Sequence, residues 1–166
     1  MTRPAATASV RARLATWRPP FGLADWGPRA LSALTAVGTG AILLLASILT
    51  PSVTGLGTHT QLGLADCTFL AWTGHPCPMC GATTTFALLA HFRVLEGVLN
   101  QPFAALLFAL TCGILAIAAA EVVDPRGRWG RVAGWFERFE VPAGVGFLAL
   151  MAASWIYKLA IVALRP

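Results

Sequence analysis

The sequence predicts an all-α membrane protein, with three transmembrane helices plus a short half-helix carrying a Cys-Pro-x-Cys-Gly motif. Three observations carry this expectation. First, 57% of the 166 residues are hydrophobic and 11% are charged. A soluble domain carries roughly 25% charged residues, so the apolar surface here calls for a bilayer as its solvent. Second, three apolar runs reach the roughly 20 residues needed to span a hydrocarbon core of ~30 Å. Third, a fourth apolar run, Gly81 to Ala90, is too short to span and begins directly beside a cysteine pair.

In chain order, residues 1–29 read as a basic cytoplasmic tail. Within it, Val10, Leu14 and Trp17 fall at helical spacing with Arg11, Arg13 and Arg18 elsewhere on the wheel. That pattern suits an interfacial helix on anionic lipid, and a disordered basic tail is the alternative. Residues 30–166 read as one membrane domain, with spans at about 30–49, 103–123 and 141–164 and a cysteine segment at 66–91. Pro51 closes the first span. Pro102 suits the first turn of the second. Lys158, near the end of the third, reads as a lysine that snorkels to the headgroups, with a functional intramembrane lysine as the alternative. Between the last two spans, Trp129, Val132, Phe136 and Phe139 fit one face of a helix lying on the membrane.

The net charge of +5 reflects topology rather than nucleic-acid binding. Arg3, Arg11, Arg13, Arg18 and Arg29 sit in the tail, and Arg126, Arg128, Arg131 and Arg138 sit in the second loop. The first loop holds Arg93 alone. The positive-inside bias then puts the N-terminus in the cytoplasm and the cysteine segment on the outer side of the cell's inner (plasma) membrane. The expected partners are membrane lipid and other membrane proteins.

The chemistry concentrates in Gly74-His75-Pro76-Cys77-Pro78-Met79-Cys80-Gly81. With Pro78 at a first helical position, the pair would open a helix whose N–H groups favour a Cys77 thiolate, leaving Cys80 to resolve a disulfide. Thiol exchange would thus use Cys77 and Cys80, with Cys67 as a third partner. Alternatively, Cys67, Cys77 and Cys80 are three soft ligands, and His75 or His59 is a fourth, for zinc or copper(I). The third reading is structural: the cysteines pin the loop, and the protein is a non-catalytic membrane subunit or assembly factor. Cys112, in mid-span, packs as a small hydrophobe. Thr83, Thr84 and Thr85 read as hydroxyls bonded back to their own helix or, alternatively, lining a polar cavity, and His91 as the helix end.

These residues resemble a bacterial family of small membrane proteins known as domain of unknown function 2752. Its pattern is an upstream Cys, then Gly-x-Pro-Cys-Pro-x-Cys-Gly-x-Thr-Arg, His-Gly and Asn-Pro. Cys67, Gly74, Pro76, Cys77, Pro78, Cys80, Gly81, Thr83, His91, Asn100 and Pro102 match it in order. Thr84 replaces the Arg, Phe92 replaces the Gly after His91, and Gln101 separates Asn100 from Pro102. The resemblance implies a polytopic membrane protein and no particular activity.

Overall fold

The computed structural model describes residues 23–164, and all the described elements are helices. The tail segment Val10 to Arg18 lies outside the described residues. The order is α1 (Leu23–Ile48), a 3-10 turn (Thr58–Leu62), α2 (Thr68–Thr73), α3 (Ala82–Ala90), α4 (Val94–Asn100), α5 (Pro102–Val123) and α6 (Arg128–Ala163). Three helices are long and apolar enough to cross a membrane: the Gly27–Ile48 part of α1, α5 and α6. Only 11%, 17% and 11% of their apolar windows is buried against protein, so most of each span faces outward, as lipid contact requires.

The helices run up, down and up. Trp129 Nε1 at the start of α6 donates to Ser32 Oγ near the start of α1 at 3.1 Å. At the opposite end, Ser154 Oγ near the end of α6 accepts from the Phe103 N–H at the start of α5 at 3.2 Å. The segment from Thr50 to Gln101 therefore caps the end where α1 stops, α5 begins and α6 stops.

Two boundaries differ from the sequence reading. α1 begins at Leu23 rather than at residue 30, taking in Pro28 near its N-terminus. The loop helix and the third span are one element, α6, of 36 residues and about 54 Å at ~1.5 Å per residue. The expected division survives as a kink: Phe139 has non-helical dihedrals (φ −124°, ψ 16°), and Pro142 follows. Proline lacks the N–H that would bond residue 138, and its ring crowds that carbonyl, so the helix bends there. Before the kink, Trp135 stacks edge-on to Phe136 and tilts against Phe139.

The half-helix is α3, nine residues packed between α1 and α5. Its four buried residues are Thr84, Thr85, Ala87 and Leu88. It ends at His91, as expected, in a Schellman motif: the Arg93 N–H bonds Leu88 O at 2.9 Å and the Phe92 N–H bonds Leu89 O at 3.0 Å. This motif needs a left-handed residue after the cap, normally glycine. Phe92 occupies it with φ 60°, so the family's His-Gly corresponds to a residue that here bears a side chain. α4 then turns back on α3. Gly97 lets the backbones meet, because a Cβ there would lie 2.8 Å from the Leu89 side chain.

Candidate thiol site in the helical cap

The cysteine pair sits in a turn that precedes a helix, not in the first turn of one. The Cys80 N–H bonds Cys77 O at 2.9 Å, with Pro78 at the second turn position, where its fixed φ fits. The Ala82 N–H bonds Met79 O at 3.0 Å, and Gly81 sits inside that turn with φ 91°. α3 then starts at Ala82 with Gly81 as its cap. The expected placement of Pro78 at a first helical position is thus corrected: the left-handed Gly81 separates the pair from the helix.

Cys67 comes from the other side, at the start of α2. The three sulfurs of Cys67, Cys77 and Cys80 all lie within 4.8 Å of one another. Cys80 is buried, the other two are half-buried, and all are free thiols. Backbone N–H groups, Leu70 above all, bond the Cys67 sulfur and pull its pKa below the ordinary thiol value. Burial pushes the Cys80 thiol up to about 12. The sulfurs form one wall of a cavity of about 640 Å³, also lined by Leu56, His59, Asp66, Leu70, Ala71 and Met79. His75 is not in the cluster: it is exposed, with Nδ1 2.7 Å from Thr73 O. His59 lines the cavity, with Nε2 3.1 Å from Ala65 O. Cys112 lies away from the site, in α5.

Polar side chains from the C-terminal half hold the motif's backbone. Trp155 Nε1 donates to Pro76 O at 2.8 Å, Gln101 Nε2 to Pro78 O at 2.7 Å, and Asn100 Nδ2 to Gly81 O at 3.1 Å. Asn100 Nδ2 also reaches Thr85 Oγ1 at 3.0 Å. Ser154 donates a short hydrogen bond to Gln101 Oε1. Behind Asn100 lies Lys158, whose Nζ donates to Asn100 Oδ1 at 2.8 Å, Asn100 O at 3.2 Å and Gly55 O at 3.3 Å. These contacts turn the Lys158 amine onto the backbone of the cap. Among the described residues, no buried side-chain nitrogen or oxygen lacks a partner.

Two sequence expectations are overturned here. Lys158 does not snorkel: it is 1% exposed and turned inward. The cap supplies carbonyl acceptors inside the bundle, which removes the need to reach the headgroups. Thr84 and Thr85 do not bond back to their own helix, whereas Thr83 and Thr84 line the cavity, the alternative expectation. Thr84 Oγ1 meets Thr58 Oγ1 at 2.8 Å, and Thr85 Oγ1 donates to Gly97 O at 3.5 Å. Gly55 and Gly81 are the closest approaches. A Cβ on Gly81 would sit 2.7 Å from Gly55 O and 3.1 Å from Lys158 Nζ, and one on Gly55 would sit 2.3 Å from Asn100 Oδ1. Sequence reasoning missed the roles of Gln101, Ser154 and Trp155 and ranked an intramembrane role for Lys158 below snorkelling. The one available signal was a lysine inside a membrane span, which by itself points to a buried partner.

No curated protein and no solved structure matches the chain. Residues 67–115, from the first clustered cysteine to the middle of α5, match the family described as "Protein of unknown function (DUF2752)", and in that segment the chain resembles that family.

Proposed function

We propose that the cap is a membrane-embedded metal site in which Cys67, Cys77 and Cys80 bind one soft metal ion, zinc or copper(I), as thiolates. One observation carries the reading: three sulfurs from two separate segments lie within 4.8 Å of one another. A disulfide needs only two of them. A tetrahedral or trigonal metal draws three together at metal–sulfur distances of ~2.3 Å, and thiolate sets select Zn and Cu(I). A bound cation would also offset the cost of ionising the buried Cys80.

Thiol–disulfide exchange by Cys77 and Cys80 is the second reading, favoured by the opening of their sulfurs onto a cavity. The Lys/Arg distribution supports an orientation with the cap on the outer side, since Arg126, Arg128 and Arg131 lie at the opposite end of the bundle.

The test is metal titration of the full chain, purified in detergent under reductant and stripped with chelator. One ion per chain is expected, and Cys67→Ser, Cys77→Ser and Cys80→Ser should each abolish its retention. If Cys67→Ser keeps the parent affinity, or no ion is retained, the metal reading fails. A Cys77–Cys80 disulfide opened by mild reductant in native membranes would establish exchange. Loss of the protein itself in the Ser variants, with neither metal nor disulfide, would mark the cysteines as structural.

A further inference from the structure

Among the described residues, no histidine or carboxylate joins the three clustered sulfurs. Structural zinc sites are closed by four protein ligands, whereas working sites keep one position open. His75 is turned away onto Thr73 O, and His59 is held at Nε2 by Ala65 O. What faces the sulfurs instead is the 640 Å³ cavity, which is large enough for a small ligand. Resting on the metal reading above, we infer that the ion keeps an open coordination position facing this cavity and takes a small neutral donor there.

The charge of the site selects the donor. A divalent ion on three thiolates is one unit negative overall, and a copper(I) ion more so. Asp66, on the same cavity wall, adds a further carboxylate. An anionic ligand would enter against this field, while a neutral donor pays no such cost. Leu56, Leu70, Ala71 and Met79 provide the apolar walls against which a ring or short alkyl group packs.

The experiment uses full-length protein in detergent loaded with Co(II), whose visible bands report coordination. Imidazole is the neutral probe and azide the anionic one. Imidazole should shift the bands saturably, and azide should bind at least ten-fold more weakly. Leu56→Trp, which adds bulk to the cavity lining without removing a sulfur, should retain one Co(II) per chain and weaken imidazole binding at least ten-fold. Bound Co(II) whose spectrum ignores imidazole would overturn the open position and leave the metal site standing. A spectrum changed by His59→Ala without imidazole would show that His59 closes the site, and so would overturn it too. Azide binding as tightly as imidazole would overturn the charge selection. Failure to bind Co(II) at all would remove both readings together.

Discussion

Glu121 at one end of the bundle and Lys158 at the other are both buried, and the two are satisfied by different means. At the basic end, Glu121 is met by the Arg128 guanidinium at 3.0 Å and by the N–H groups of Gly127 (2.6 Å) and Arg128. Arg128 in turn donates to Ala120 O at 3.1 Å. Glutamate thereby covers the start of α6 while arginine covers the end of α5, closing a tight hairpin through charge and helix-end chemistry. At the cysteine end, Lys158 meets carbonyl oxygens contributed by Gly55 and Asn100, residues far from it in the chain. The first arrangement is local and repairable by water, being near a helix end. The second ties three separate segments together inside the bundle. Local capping fixes a turn, whereas a buried amine among carbonyls from distant segments fixes a site.

Breaking the cap should therefore cost more than breaking the hairpin. Lys158→Met leaves several buried oxygens without a donor, at ~1–3 kcal/mol each. Thermal unfolding in detergent should show a loss of roughly 3 kcal/mol or more, together with weakened metal retention. Glu121→Gln, which keeps an acceptor oxygen, should lower the unfolding temperature less and leave metal retention unchanged. Equal effects at both ends would break the comparison.

The glycines sharpen it. Gly81 and Gly127 are both left-handed, with φ 91° and 64°. A Cβ on Gly81 meets the Gly55 carbonyl, whereas Gly127 has nothing within 4 Å. Gly127→Ala should cost only the left-handed penalty of ~1–2 kcal/mol. Gly81→Ala adds overpacking of ~1–3 kcal/mol and should disturb the thiols. Phe92→Gly, removing a 90%-exposed side chain from a left-handed position, should stabilise the fold by about 1 kcal/mol.

The smallest effect is one of rate. In metal-free protein, Cys67 is thiolate at lower pH than an ordinary cysteine, and Cys80, with its pKa near 12, stays protonated across the neutral range. Alkylation followed by mass spectrometry should modify Cys67 first as pH rises from neutral, and Cys80 last. The reverse order would mean that the backbone bonds to Cys67 do not hold in solution.

The three spans, the half-helix and the cysteine motif were legible because each depends on neighbours in the chain. A run of twenty apolar residues is a span wherever it packs. The kink before Pro142 was legible as a boundary between a loop helix and a span, although not as one continuous α6. The turn at Pro78 was misplaced by a few residues because Pro78 suits either a turn or a helix start. Gly81's left-handed φ chose between them, and that choice depends on its close approach to Gly55.

By itself the sequence determined the fold class, the three helices long and apolar enough to span a membrane, and the Cys77–Cys80 motif, since hydropathy and local motif chemistry act over a few residues. Only the tertiary structure decided that Cys67 joins Cys77 and Cys80, that His75 stays apart, and that Lys158 points inward. Those outcomes depend on which backbone carbonyls are left without partners once the helices pack. Residues 55, 100 and 158 meet there although they lie far apart along the chain.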